Sequence, residues 1–153
     1  MAGLNDIDTE EALALFAVPR TCEDVEGWLP QKQQADTWIA AAGVLNEDGS
    51  SARLLVELVF RRSSKTSRVW YKFTVFKRHA SGLERAYQLD IQQFARQLPI
   101  HDRPHEHFGS ERIEGGCDWA TWTFEQALQH FTERTTITFR PPVPHPEHFE
   151  LRG

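Results

Sequence analysis

Hydrophobic and polar residues alternate through the middle of the chain with the period of two that a half-buried β-strand requires. Short polar segments separate the alternating stretches, and one of them has Asp-Gly at residues 48–49, a typical hairpin signal. Because successive strands with short connections usually pair, the pattern predicts an antiparallel β-meander of about four to five strands. The segments with strand composition are residues 36–45, 53–61, 68–77, 83–90 and 135–140.

Two other segments have helical periodicity. Residues 8–17 start with Asp8, which can cap a helix, and Glu11 follows at capping-box spacing. A second helix follows Thr123, which forms a capping box with Gln126. We therefore predict the α+β class, with an N-terminal helix and one late amphipathic helix packing on the sheet. The apolar face of the late helix consists of Phe124, Ala127, Leu128 and Phe131.

A chain of 153 residues is the size of one domain and can bury a core without disulfides. We divide it into a helical or irregular N-terminal segment (residues 1–35), a core of sheet and helix (36–140) and an extended, proline-rich tail (141–153). The segment over residues 90–98 is open between a short helix and a continuation of the preceding strand, and Pro99 ends either one.

Charge is distributed very unevenly along the chain. The net charge is −5, yet residues 53–79 contain eight Lys and Arg against a single acid, Glu57, which gives a local charge of +7. The first 48 residues carry ten acids and two basic residues. A positive patch on an otherwise acidic protein favours a polyanionic partner at that patch, while the acidic segment could serve a protein partner.

Several classes of protein can be set aside on composition. No run approaches the roughly 18 apolar residues of a membrane helix, so we expect no membrane association. The N-terminus carries acids where a secretory signal carries basic residues, which favours a cytoplasmic location. Cys22 and Cys117 are isolated and match no zinc spacing, so we interpret both as reduced thiols. We expect no cofactor.

The strand over residues 68–77 presents cations and aromatic rings on one face, opposite to a predicted core face that begins at Val69. Cations neutralise phosphates and aromatic rings stack on unpaired bases, so the cationic face suits nucleic acid. The alternative is a face packed beneath a helix, with Arg and Lys stems lying along the rings. The predicted nucleic-acid-binding residues are Arg61, Arg62, Arg68, Trp70 and Lys72.

Imidazole, guanidinium and carboxylate groups are concentrated in the loop predicted at residues 101–110, HDRPHEHFGS. If residues 104–108 are extended, His105 and His107 project to the same side. One imidazole could then take the proton of an attacking 2′-hydroxyl while the other protonates the leaving oxygen, since the ordinary pKa of His is about 6.5. Arg103 would offset the charge that grows on phosphorus. The predicted catalytic residues of a metal-independent endoribonuclease are therefore His105, His107 and Arg103.

Two other interpretations of this segment stay open. His101, His105 and His107, with Glu106 or Asp102, could hold a metal ion, but their spacing fits no standard zinc pattern and we assign no metal ligand. Alternatively, these polar side chains hydrogen-bond a loop to the edge of the sheet.

The order of these features resembles that of the TumE family of small bacterial toxins. Members of that family have a β-meander, a Pro-His-x-His-x-Gly segment and a following amphipathic helix. The resemblance covers residues 36–133 and implies a toxin that acts on RNA and is neutralised by a helix-turn-helix antitoxin. It also implies that the two histidines of the motif are the first residues to test. The matching residues are Pro104, His105, His107, Gly109 and the segment from Thr123 to Phe131.

Two functions of different classes follow. The first is a ribonuclease-like toxin of a toxin–antitoxin pair, with the histidine segment beside the basic sheet face. The second is a non-catalytic binding or adaptor module whose exposed Trp70 and arginines engage a protein or nucleic acid. The position of the histidines relative to Trp70 and Lys72 decides between them, and the sequence does not fix the oligomeric state.

Overall fold

The computed structural model describes residues 5–23, 25, 27–93 and 104–147, without the side chain of Cys117. The helices in these ranges are α1 (Thr9–Phe16), α2 (Phe124–Thr135) and a short 3₁₀-helix (Cys117–Thr121). None of the helices in these ranges has the length and hydropathy needed to cross a membrane. The strands are β1 (Arg20–Cys22), β2 (Leu29–Pro30), β3 (Thr37–Leu45), β4 (Ser51–Arg62), β5 (Val69–His79), β6 (Gly82–Gln92), β7 (His105–Phe108), β8 (Glu111–Glu114) and β9 (Ile137–Phe139).

All nine strands belong to one sheet with the order β8-β7-β6-β5-β4-β3-β1-β9, and β2 pairs beside β3. From β3 to β8, strands that follow each other in the chain pair antiparallel, as the alternating pattern predicts. β1 pairs antiparallel with β3 and parallel with β9, which makes the sheet mixed. The predicted α+β class with an antiparallel meander is therefore confirmed.

The prediction of about four to five strands understates the sheet. The four long strands, β3 to β6, are those that the alternation predicts. The other five are only two to four residues long, which is too short for a period of two to be recognised. β1 and β2 lie in the segment predicted to be helical or irregular, and β7 lies in the predicted histidine loop. Among these short strands, only β9 lies in a segment with predicted strand composition.

Both α-helices start at the predicted residues because a side chain caps each of them. The carboxylate of Asp8 accepts a hydrogen bond of 2.7 Å from the backbone N–H of Glu11. Thr123 Oγ1 accepts from the backbone N–H of Gln126 at 3.2 Å, and Gln126 Oε1 accepts from the backbone N–H of Thr123 at 2.8 Å. These bonds satisfy N–H groups that have no partner inside the helix.

The two α-helices pack on the same side of the sheet, which we call the inner face; the opposite side is the outer face. Phe124 and Phe131 of α2 each meet Phe73 edge-on, with 5.9 Å between ring centroids. Phe16 of α1 contacts Tyr87 in the same manner. Because both described α-helices cover the inner face, neither covers the basic and aromatic face of β5. The buried inner-face residues include Leu58, Phe60, Tyr71, Phe73, Val75, Tyr87 and Leu89.

The proline-rich segment after β9 is anchored on the inner side of the molecule. The indole N–H of Trp28 donates to the carbonyl oxygen of Pro144 at 2.8 Å. The ring of His145 contacts that of Phe124, with 5.3 Å between centroids, and Val143 is buried. The part of this segment that the structure describes is therefore docked onto the core.

Gly109, in the turn between β7 and β8, offers a test of how closely α1 approaches the sheet. Its φ is 59°, and a Cβ atom there would lie 2.7 Å from the carbonyl oxygen of Asp8 and from Cα of Thr9. Gly49 also has a positive φ, of 87°, but no atom lies within 4 Å of its Cβ position. We expect Gly49→Ala to cost about 1 kcal/mol through backbone strain alone. Gly109→Ala should cost clearly more, because the start of α1 must also move. Urea unfolding measures both variants, and equal losses would contradict the close approach.

Candidate nucleic-acid interface

His105 lies on the same face of the sheet as the basic strand because of the strand register. β7 pairs with β6 so that His105 is opposite Asp90, and β6 pairs with β5 so that Asp90 is opposite Lys72. Directly opposed side chains have Cβ atoms roughly 5 Å apart. A row of three ionisable groups, Lys72–Asp90–His105, therefore crosses the outer face, with the carboxyl group between the two basic ones. The indole N–H of Trp70 also donates to Asp90 Oδ1, at 2.7 Å.

His107 occupies the neighbouring row, opposite Gln88. The amide of Gln88 donates to Thr74 Oγ1 at 2.9 Å and accepts from the guanidinium of Arg85 at 3.0 Å. The rings of His105 and His107 are 4.9 Å apart between centroids and almost perpendicular. The two imidazoles thus project to one side of the sheet, as expected for an extended segment.

The two imidazoles differ in their surroundings. His105 is only 4% exposed, whereas His107 is half-buried. Burial, with a smaller effect from the positive charges of Arg85 and His105, lowers the pKa of His107 to about 4, against the attraction of Asp6. At neutral pH the ring of His107 is therefore uncharged and able to accept a proton.

The carboxyl group of Asp90 is largely buried on the outer face. Burial raises the pKa of its carboxyl group, while the hydrogen bond from Trp70 and the positive charges of His105 and Lys72 oppose that rise. Because the carboxyl group lies opposite Lys72, this lysine is not an isolated cation on the outer face. Two further cations, Arg61 and Arg68, lie at the end of the outer face where β5 begins.

A small cleft lies at the end of the outer face where β5 begins. Its volume is about 140 Å³, and it is lined by Arg61, Arg68 and Trp70, three of the predicted nucleic-acid-binding residues. Gln92 and Gln93, at the end of β6, line the opposite wall. Both arginines are exposed and the indole is half-buried. The cleft is smaller than the roughly 300 Å³ at which pockets for small molecules begin, so it suits one planar group rather than a whole ligand.

Two predicted site residues do not join this arrangement. Arg62 has the opposite strand parity from Arg61, faces the inner side and forms an ion pair with Glu147. Its Nε atom is buried without a hydrogen-bond partner in the described part of the chain. Arg103 lies outside the described residues, as do His101 and Asp102 of the metal alternative. In the ranges that the structure covers, no group of three or more His, Cys, Asp or Glu side chains could hold a metal ion.

The inner face contains a buried polar network that the sequence analysis missed. One carboxylate oxygen of Glu106 accepts a hydrogen bond of 2.6 Å from the Tyr87 hydroxyl and one of 3.2 Å from Arg134 Nε, and it lies 3.1 Å from His130 Nε2. Burial raises the pKa of Glu106, but the hydrogen bonds from His130 and Tyr87 and the charge of Arg134 outweigh it and leave the pKa lowered. The carboxylate is therefore charged, and it joins β6, β7 and α2.

Aromatic rings pack against the basic members of this network. Trp119 and Trp122 stack with 4.7 Å between ring centroids, and both contact the imidazole of His130, at 4.9 and 5.2 Å. The guanidinium of Arg134 lies 4.6 Å from the centroid of the Phe108 ring. Strand alternation was the available signal for the network, because a residue between two outward-facing histidines must point inward.

The lowered pKa of His107 makes the stability of the fold depend on pH. The ordinary pKa is 6.5, so between pH 6.5 and about 4 the unfolded chain binds a proton at this residue that the folded chain does not. The contribution of His107 to stability is therefore complete above pH 6.5 and is lost as the pH falls toward 4. We expect His107→Gln to flatten this part of the dependence of Tm on pH. Calorimetry at a series of pH values measures it, and an unchanged slope would contradict the buried, uncharged state.

The chain was compared with protein-family models, with curated proteins and with solved structures, and none of the three comparisons found a match. The likeness to the TumE family consequently stays a prediction from the sequence, carried by Pro104, His105, His107, Gly109 and the late helix.

Proposed function

We propose that the protein binds single-stranded nucleic acid, RNA in particular, on the outer face of its sheet. The observation that carries this proposal is the convergence of Arg61, Arg68 and Trp70 on one cleft. Two exposed guanidinium groups attract the phosphates, and the indole offers a surface on which an unpaired base can stack. The size of the cleft matches a single base, with the sugar–phosphate backbone lying outside it.

The ring of Trp70 is held in position before any partner arrives. Its N–H donates a hydrogen bond of 2.7 Å to Asp90. In the sheet, Trp70 lies between Arg61 of β4 and Gln92 of β6. A side chain that is already ordered loses little conformational entropy when a base stacks on it, which favours binding. Asp90 thus positions the ring that forms the stacking surface.

The number of cations available on this face limits the electrostatic part of the binding. Arg62 is paired with Glu147 on the inner side, and Lys72 lies opposite Asp90. Arg61 and Arg68 remain at the cleft, so we assign two phosphate contacts. For single strands, each contact contributes a slope of about −0.7 to log K against log salt concentration, so the expected slope is about −1.4.

Binding of a fluorescently labelled RNA octamer, followed by anisotropy over a series of salt concentrations, tests this proposal. Arg61→Ala and Arg68→Ala should each reduce the slope by about 0.7, and Trp70→Leu should weaken binding while leaving the slope unchanged. Arg78→Ala is the matched control, because Arg78 is an exposed arginine of β5 outside the cleft. An affinity that does not vary with salt, or an equal effect of the control, would contradict the proposal.

A second function, cleavage of the bound RNA, is favoured by the position of His105 and His107 on the same face as the cleft. They lie on β7, two strands from Trp70 on β5, or roughly 10 Å across the sheet. In this scheme His107 accepts the proton of a ribose 2′-hydroxyl, whose oxygen attacks phosphorus. The bond from phosphorus to the 5′-oxygen breaks, and His105 gives a proton to that oxygen, leaving a 2′,3′-cyclic phosphate.

Two assays test the second function. Labelled RNA is incubated with the protein to measure cleavage, and the protein is expressed without an antitoxin to see whether growth stops. The double variant His105→Ala, His107→Ala should abolish both while retaining binding. His79→Ala is the control, since His79 is at the exposed end of β5. A substrate with deoxyribose at the cleaved position should stay intact. Full cleavage by the double variant would eliminate this mechanism and leave the binding proposal standing.

A further inference from the structure

The orientation of the Gln93 side-chain amide in the cleft is fixed by a hydrogen bond with the backbone of Val69 on β5. Gln93 Oε1 accepts a hydrogen bond of 3.1 Å from the backbone N–H of Val69, and the backbone N–H of Gln93 donates to the carbonyl oxygen of Val69 at 2.9 Å. A backbone N–H can only donate, so the atom that meets it must be the amide oxygen. The amide nitrogen, a donor, is then the group that Gln93 can offer to a ligand.

The other polar groups around the cleft are also biased toward donors. The guanidinium groups of Arg61 and Arg68 have no acceptor atom. The carbonyl oxygens of Arg68 and Val69 each already accept one hydrogen bond, from the backbone N–H groups of Ser63 and Gln93. Ser63 Oγ accepts from the backbone N–H groups of Lys65 and Thr66, which leaves its hydroxyl hydrogen to be donated. Gln92 differs, because its side-chain amide can turn either its oxygen or its nitrogen to the cleft.

We propose that the cleft selects bases with a keto oxygen at position 4 of a pyrimidine or position 6 of a purine, uracil and guanine, over cytosine and adenine, which carry an amine at that position. This inference rests on the proposed function. A keto oxygen accepts a hydrogen bond from a donor on the wall, and arginine paired with a guanine edge is the commonest specific contact of this kind. An exocyclic amine would face another donor, and both groups would lose their hydrogen bonds to water without replacement.

Oligo(U) and oligo(C) octamers provide the sharpest comparison, because the two bases differ along one edge alone: uracil has an oxygen at position 4 and a hydrogen on N3, whereas cytosine has an amine at position 4 and an unprotonated N3. We expect oligo(U) to bind about fivefold more tightly or better. Gln93→Glu keeps an oxygen for the N–H of Val69 but replaces the donor by an acceptor, so the preference should disappear or reverse. Gln92→Leu, on the same wall, should retain it. Gln93→Met removes the amide altogether and should bring the ratio close to one if Gln93→Glu does not fold.

The outcomes separate this inference from the proposed function. Salt-dependent binding of both octamers with equal affinity would overturn the preference for keto bases while leaving the binding of single strands in place. A preference that survives in Gln93→Glu and in Gln93→Met would also overturn it, because the selecting group would lie elsewhere. If neither octamer binds, the proposed function and this inference are both overturned. A preference that is lost in the Gln93 variants and kept in Gln92→Leu supports both.

Discussion

The alternation of side chains along β7 is the constraint on which both faces of the molecule depend. Within His105-Glu106-His107, the two imidazoles face outward and the carboxylate faces inward. A shift of one residue in the pairing with β6 would drive both rings among the aromatic side chains of the core and place Glu106 on the outer face. The apolar pattern of the inner face and the contacts of Glu106 resist that shift together, because the carboxylate meets its three partners only in the observed register.

The inner network shows how a charged group can define a position without adding much stability. Removing a carboxylate from water is costly, and the three groups that meet Glu106 largely offset this cost. Loss of one partner would leave a buried, poorly compensated charge. This would destabilise the fold much more than replacing the whole network with apolar side chains. The network therefore fixes where α2 lies against β6 and β7. The outer face, on the other side of the same strands, is built on that fixed arrangement.

Much of the fold could be predicted from local signals, and the parts that were missed have physical reasons. The capping residues Asp8 and Thr123 mark the starts of the two α-helices. In the long strands, apolar and polar residues alternate over nine or more residues. Strands of two to four residues carry no readable period and form only because neighbours already exist to pair with them. At the site, the placing of His105, His107, Lys72 and Trp70 on one face follows from alternation combined with the order of the strands.

Other features of the site depend on contacts between residues that are distant in the sequence. Neighbouring arginines in a strand point to opposite faces, so Arg61 and Arg62 cannot both serve the outer face, although which of them does depends on the register. The low exposure of His105 depends on tertiary packing that no short sequence window contains. The network of Glu106 joins residues of two strands and a helix, and only the fold brings Tyr87 and Arg134 to the same oxygen.

The parallel pairing of β1 with β9 also has a consequence for biosynthesis. The Thr136 hydroxyl bonds to the carbonyl oxygen of Phe16, which lies 120 residues earlier, and Trp28 donates to Pro144, 116 residues later. On the ribosome, the hairpins of the meander can close as they emerge and β1 can pair with β3, but the other edge of β1 stays open until β9 has been made. Until then the nascent chain has an open sheet edge and lacks the aromatic side chains of α2 over its apolar side. Such an intermediate is a natural client for a chaperone, and crowded translation is the condition under which it would aggregate.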